Sequence, residues 1–584
     1  MTSEKMQVSR SFSGRRWAVA ECDGAAVHAL AQNLEIPAIV ARLLIVRGVD
    51  PGDATDHLNP TLKRYLPDPS ILTDMDVAVA HVAAAIQAGK RIAVFGDYDV
   101  DGSCSGALLH TFLSAVDKPP RLYVPDRLTE GYGPNAAALL RLRDEGADLV
   151  LTVDCGAGAA HAIAAAKGLD VIVLDHHACE HEPPALAHVN PNRSSDTSGL
   201  GHLAAAGITF LFLVGLNRAL RNAGWYSRRP EPDLLEYIDL VGMATVCDVV
   251  PLIGLNRAFV RQGLARMDDL RRPGLAALAQ VAGVAPPFTP YHLGYVFGPR
   301  VNAGGRVGRC SLGVELLTCL DATGSSNCAA ALDLHNRERQ AIERLILEEA
   351  TALAAPQDSW PFLLLAGDGW HPGVVGIVAG RLKDRFGKPC FVAGFEGGLG
   401  RGSARSVPGV DVGAIIRSAR EAGVLDSGGG HAMAAGFSLR PDQADAFRAF
   451  LVTQFGALPT VAAPAGMTLD AIVSPAGATA ALVNNIARVG PFGAGNPEPL
   501  FAVPDVEVTF ADVVGRDHVR VRLRGGDGGR LDAIAFRMAQ TDLGRGLLAA
   551  RGQRVHVAGR LRAEEWNGAP RVQLHLEDAA PANA

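Results

Sequence analysis

The chain has 584 residues, a formal net charge of −6, 48% hydrophobic and 20% charged residues. At roughly 100–200 residues per domain this length calls for three or four cores, and the composition fits a globular protein rich in buried α/β structure, with disorder expected only at the termini. The acidic balance rules out a global basic field for nucleic acid but leaves a local groove open. The nine cysteines are scattered without CxxC pairs, which excludes a disulfide scaffold and points to a reducing cytoplasm.

The N-terminus mixes Lys5, Arg10, Arg15 and Arg16 with serines and lacks the apolar segment of a secretory signal. Residues 1–85 read as a helical lead-in without strand alternation, with an amphipathic run at 38–44 before the Asp50-Pro51-Gly52 break. A catalytic α/β domain is expected at 86–325. Short apolar runs at 92–95, 122–124, 149–153 and 171–174 alternate with helix-period segments at 105–116, 135–145 and 159–167, the pattern of βαβ units around a parallel sheet. The longest apolar stretch, 203–216, is shorter than the ~20 residues of a membrane span. It reads as a buried helix, and no membrane association is expected.

A polar helix at 326–358 then connects to a second α/β segment at 359–458, which carries glycine-rich loops at 397–402 and 428–430. Five strand-like runs with glycine-rich turns follow at 464–580 and suggest a small β-barrel, with the OB-fold as the simplest form.

Acidic and histidine clusters stand at the ends of the apolar runs: Asp97, Asp99 and Asp101, then Asp154, then Asp175-His176-His177, then Asp248. Strand carboxyl ends are where open α/β sheets bind ligands. The Asp-x-Asp-x-Asp-Gly segment lacks the remaining ligands of an EF-hand and follows a strand instead of a helix. Three carboxylates tightened by Gly102 repel one another unless cations neutralise them, so a metal site is favoured over a solvated acidic turn. Oxygen-rich ligands with imidazoles, and no cysteine cluster, favour two Mn²⁺ or Mg²⁺ ions over structural Zn²⁺. Two ions roughly 3.5–4 Å apart stabilise both the attacking and the leaving oxygen of an in-line displacement.

These motifs resemble the DHH phosphoesterase superfamily and, within it, the RecJ-type single-strand-specific exonucleases. The likeness rests on Asp175-His176-His177 together with 95–102, 127–133, 244–252, 299–306 and 429–436, and a further segment, 489–499, resembles the entrance to the family's OB-type domain. The resemblance implies an α/β fold: a parallel-sheet DHH domain and an α/β DHHA1 domain joined by a long helix, with a C-terminal OB-fold barrel. It also implies that Asp99 and Asp101 bind metal, that Asp154 bridges two ions, that His176 and Asp248 complete the ligand set, and that His177 faces the phosphate, with Asp175 orienting a ring from behind. Other superfamily members carry a ligand His four residues before the first ligand Asp. Phe95 stands at that position here, leaving Asp97 as the substitute.

DNA and 5′-phosphate binding is expected from Arg127, Tyr132, Arg300, Asn302, Arg306, Ser403, Arg405, Gly429, Gly430 and His431. The implied activity is 5′-to-3′ hydrolysis of single-stranded DNA to mononucleotides in recombination and repair, by a cytoplasmic monomer fed by a RecQ-type helicase and a single-strand-binding protein. Two alternatives stay open: a DHH phosphodiesterase of oligonucleotides or cyclic dinucleotides, and a non-catalytic replication scaffold.

Overall fold

A computed structural model describes residues 6–127, 129–179, 181–457, 466–566 and 569–583. The expected boundaries at 458 and 464, and Leu128 of the 127–133 motif, lie outside the described residues. The chain divides into two compact units, one of Asp68–Asp248 with Gly263–Val461, the other of Met1–Pro67, Val249–Gln262 and Ala462–Ala584.

The larger unit begins with five parallel strands, β1 (Ile92–Gly96), β2 (Arg121–Tyr123), β3 (Leu149–Val153), β4 (Asp170–Leu174) and β5 (Ala187–Val189), in the order β2-β1-β3-β4-β5. Every residue of β1 and β3 is buried, which is why they read as unbroken apolar runs. Phe95 stacks on Tyr123 at 5.2 Å between ring centroids and packs with Leu139, Leu142 and Ile163. β5 is not among the expected strands, because His188 at its centre breaks the apolar run. Strand order reverses between β1 and β3, so the loops leaving their carboxyl ends diverge and open a crevice.

The apolar stretch at 203–216 forms most of the helix Ala205–Asn222, buried from Ala205 through Leu213. Among the described residues no single helix is long and apolar enough to cross a membrane. The connecting helix runs Ala322–Ala354 and starts before the expected position 326, because the Asp321 carboxylate accepts from the amides of Thr323 and Gly324. Beyond it lie β6 (Leu363–Asp368), β7 (Cys390–Glu396), β8 (Leu399–Arg405), β9 (Ser427–His431) and β10 (Ala434–Leu439), in the order β9-β10-β8-β7-β6. Only the β6–β7 pair is parallel in this second sheet.

In the smaller unit, β11 (Phe501–Val514), β12 (His518–Arg524), β13 (Arg530–Ala535), β14 (Arg554–Trp566) and β15 (Ala569–Pro581) pair as β11-β12-β13-β15-β14, and β14 returns to β11. The result is a closed five-stranded barrel of OB type. Residues 1–85 do not form one helical lead-in, and two observations correct that expectation. Gln7–Val8 and Trp17–Val19 pair as strands, with Trp17–Val19 running parallel to Met467–Leu469; strands of two and three residues show no period. The stretch also divides at Pro67. Its first part belongs with the barrel, where fully buried Asp578 accepts from Ser11 Oγ (2.6 Å) and Trp17 Nε1 (3.1 Å), while Met75–Gln87 packs on Ala205–Asn222 in the larger unit.

The 489–499 segment is a bonded clasp more than a bare linker. Ala494 O accepts from Leu252 N, Asn496 Nδ2 donates to Val489 O and Pro491 O, and the buried Arg257 guanidinium donates to the carbonyls of His57, Val489 and Gly490.

Candidate active site

Asp97 follows β1 directly and Asp154 follows β3, so the two carboxylates stand on either side of the switch point. Asp154 holds φ 59°, a left-handed conformation that costs a non-glycine residue energy and persists where surrounding contacts enforce it. Asp99 caps the helix Val100–Ala115 by accepting from Gly102 N at 3.0 Å. Asp101, in the first turn of that helix, places one oxygen on the amide of Ala205 (2.7 Å) and the other on that of Ala206 (2.8 Å). It thereby caps a second helix, whose own N-cap residue Ala204 has no side-chain acceptor. The helix dipole offsets part of the cost of burying this carboxylate. Asp248 closes the C-terminus of Ile238–Cys247.

These elements bring ligand atoms within 4.8 Å of one another in three sets: Asp97, Asp99 and Asp154; Asp154, His176 and His177; Asp101, His176 and Asp248. Asp154 and His176 each belong to two sets, and their Oδ1 and Nε2 atoms are 3.4 Å apart. His176 Nε2 also lies 3.7 Å from Asp248 Oδ2 and 3.9 Å from Asp101 Oδ2. Among the described residues, the buried Asp97 Oδ1, Asp154 Oδ1 and His176 Nε2 have no hydrogen-bond partner. Orphaned polar atoms of this kind are costly unless something binds them. The donor set, oxygen-rich with neutral imidazole, fits a pair of hard or borderline divalent cations.

Burial, followed by repulsion between the carboxylates, raises Asp97, Asp101 and Asp154 well above the ordinary range and Asp248 to about 7. Burial and the neighbouring His177 push His176 down to about 4, which keeps it a neutral ligand. For His177 burial acts the same way but is outweighed by Asp175, whose Oδ1 sits 2.8 Å from Nδ1, and its value rises to about 9. Nδ1–H therefore donates to Asp175. Asp175 is held in place by the amides of Ala157, His176 and His177. Tyr132 Oη donates to Asp154 O at 3.0 Å and touches His177 Nδ1 at 3.2 Å. Phe95, expected at a ligand position, is fully buried in the apolar cluster on Tyr123, while Asp97 sits among the candidate ligands.

Three of the expected phosphate-binding arginines share one basic region. The Arg127 guanidinium lies over the Tyr98 ring, 5.2 Å from its centroid, and Gly305 approaches that ring so closely that a Cβ there would lie 3.0 Å from it. Arg306 Nη1 donates to Gly373 O at 3.1 Å, and Arg405 Nη1 to Ser403 Oγ at 2.7 Å. Burial, then repulsion from Arg127, Arg339 and Arg405, lowers Arg306 to about 10; burial and Arg127 lower Arg405. Among the described residues Arg127, Arg306 and Arg405 form no salt bridge. Cations that repel one another and have no carboxylate bonded to them suit a phosphate.

The remaining expected residues stand differently. Arg300 is taken by Asp333 (2.9 Å) and by the Val296 carbonyl (2.8 Å). Asn302 leaves a buried Oδ1 without a partner. Gly429, Gly430 and His431 lie on β9, the sheet edge, with His431 exposed. Gly430 holds φ 147°, where a Cβ would meet Ala434 O at 2.5 Å, and its carbonyl accepts from Arg417.

Sequence reasoning missed Asn190 and Asn192, whose amides donate to the carbonyls of His177 (2.8 Å) and His176 (2.6 Å) and fix the histidine pair. It also missed His371, which caps the helix Pro372–Phe386 by accepting from Gly373 N. An Asn-Pro-Asn turn after a strand, and a His before Pro-Gly at a helix start, were the available signals.

Comparison with known proteins agrees with this architecture. The DHH family N-terminal domain model matches residues 91–245, the DHHA1 domain model 360–457 and the RecJ OB domain model 469–578. The chain is 32% identical to the single-stranded-DNA-specific exonuclease RecJ of Bacillus subtilis, over 97% of this chain and 71% of the relative. It is 34% identical to that of Dickeya dadantii, over 94% and 96%. The crystal structure of Thermus thermophilus RecJ in complex with Mn²⁺ superposes with a TM-score of 0.81 at 29% identity, covering 96% of this chain and 79% of that one; its Mg²⁺ complex gives 0.77, at 29% identity over 97% and 79%. With three domain models in order and identity above 30% along nearly its whole length, the chain belongs to the RecJ family.

Proposed function

We infer that this chain is a metal-dependent exonuclease that hydrolyses single-stranded DNA from the 5′ end to mononucleotides, in recombination and repair. One observation carries the reading: seven carboxylate and imidazole side chains converge at the β1/β3 switch point with orphaned ligand atoms, and the relatives are named single-stranded-DNA-specific exonucleases. Asp97, Asp99 and Asp154 would hold one cation and Asp101, His176 and Asp248 the other. Mn²⁺ and Mg²⁺, the ions in the Thermus complexes, supply Lewis acidity and an ionised water when bound.

The chain's own groups do the rest. His177, oriented by the bond from its Nδ1–H to Asp175, would turn Nε2 toward a phosphate oxygen of the substrate. Asn190 and Asn192 hold the backbone that sets this ring. Arg127, Arg306 and Arg405 with Ser403 accept a terminal 5′-phosphate, which neutralises their mutual repulsion and sets the polarity. A single strand is the product of unwinding, which supports a RecQ-type helicase and a single-strand-binding protein as suppliers. The nine scattered cysteines, without CxxC pairs, support a reducing cytoplasm.

The test uses end-labelled oligonucleotides with Mn²⁺. The protein should degrade single strands from the 5′ end and spare blunt duplex, and Asp154→Ala should abolish digestion. Predominant loss from the 3′ end refutes the polarity. Preference for a 2-mer over a 40-mer restores the small-substrate phosphodiesterase, and failure to bind Mn²⁺ by calorimetry restores the scaffold.

A further inference from the structure

Tyr291 and Tyr295 are conspicuous for their exposure. They are 59% and 74% solvent-accessible, yet their rings stack with centroids 5.3 Å apart and planes at 24°. A ring left in water contributes little to folding, so the packing of the chain does not account for two of them held in parallel. They lie at and beside the π-helical turn His292–Phe297, which runs directly into the helix Gly298–Val307 that carries Asn302 and Arg306. π-turns occur frequently at functional sites.

The turn is anchored on three sides. Cys247, which precedes Asp248, donates its thiol to Leu293 O at 3.2 Å. Gly298 packs so tightly on Cys247 that a Cβ there would lie 2.7 Å from its Sγ, and Gly294 lies at ordinary contact distance from Val246. Arg300 ties the Val296 carbonyl to Asp333 of the connecting helix. One expected DNA-binding arginine thus braces the turn through its Nε and Nη1.

We propose that Tyr291 and Tyr295 form a base-stacking platform for the single strand, beside the carboxylate cluster on its Asp248 side. This rests on the reading of the site as a single-strand exonuclease. Single-stranded substrate offers unpaired bases with open π-faces, and base–aromatic stacking tolerates every sequence, as a non-specific exonuclease requires. A pre-stacked, rigidly braced pair accepts a base with little ordering cost. Duplex DNA, whose bases already stack on one another, gains nothing from it.

The experiment compares wild type, Tyr295→Ala, Tyr295→Phe and Tyr291→Ala on a 5′-phosphorylated 20-mer and on a 20-mer with abasic residues. Binding by fluorescence anisotropy without divalent metal, KM and kcat with Mn²⁺, and gel filtration are read in parallel. Tyr295→Ala should weaken binding and raise KM about 10-fold, the size of a lost base stack, with kcat at saturation retained and Tyr295→Phe restoring both. On the abasic strand the Tyr295→Ala effect should vanish, because the partner is already absent. Equal binding by wild type and both alanine variants overturns the platform, as does an equal loss on base-bearing and abasic strands. A wild-type dimer that Tyr295→Ala dissociates overturns it too, since the pair then joins two copies. A wild type that binds single strands through Tyr295 but digests none refutes the exonuclease reading and supports the platform.

Discussion

Gly102→Ala separates local propensity from site geometry. Gly102 is the third residue of the helix Val100–Ala115, where alanine normally gains about 1 kcal/mol over glycine. A Cβ at this position would lie 2.5 Å from Asp97 O, 2.7 Å from its C and 2.8 Å from its Cα. Ordinary contact begins at 3.4 Å, so the Asp97 backbone must retreat by about 0.9 Å, the difference between 3.4 and 2.5 Å. The obstacle is backbone, which has no rotamer to yield. Overpacking of this kind costs about 1–3 kcal/mol and outweighs the propensity gain. Asp97 is displaced relative to Asp99 and Asp154, and a misplacement near 1 Å costs about 100-fold in rate. The expected result is a lower melting temperature, weaker Mn²⁺ binding and kcat reduced about 100-fold on a 5′-phosphorylated single strand. A melting temperature above wild type with kcat within about threefold would refute the packing argument and leave helix propensity in control.

Metal-free protein should lose stability as pH rises. Asp248, ordinarily near 3.8, is raised to about 7, so the folded state keeps a proton that the unfolded chain releases, and stability falls through the intervening window. His177, a base raised from 6.5 to about 9, contributes fully below 6.5 and loses that contribution as pH passes 9. Both effects share one sign. The opposing shift of His176, lowered from 6.5 to about 4, acts only below pH 6.5, so melting temperature in EDTA should fall between pH 6.5 and 9 and flatten with Mn²⁺, whereas a rise with pH in EDTA across that window contradicts the assignment. Phe95→His should gain no metal affinity, because position 95 faces the apolar cluster on Tyr123. It should destabilise by about 3 kcal/mol through lost packing and a buried, unpartnered imidazole. A tenfold gain in Mn²⁺ affinity by calorimetry would show that the side chain can reach the site.

By itself the sequence determined the local elements and the chemistry at their ends. Unbroken apolar runs marked β1, β3 and β4 because both faces of a parallel sheet are covered, and alternation in His518–Arg524 marked a barrel strand with one face inward. Acidic and histidine residues just past those runs were legible as ligands, since strand ends are where an α/β sheet presents its crevice. Roles that depend on a partner distant in sequence were decided only by tertiary structure. Asp101 also accepts from two amides of a helix that begins 104 residues later. Arg300 meets Asp333, not phosphate, Phe95 turns to the core, and the N-terminal strands join the barrel through Asp578. Tyr291 and Tyr295 had the spacing of an ordinary helical pair, and their exposure emerged only once the core around them had closed. Periodicity and end-of-strand chemistry are short-range properties of the chain, whereas the partner of a charged group or a ring is settled by which surfaces remain when all the apolar faces have been buried.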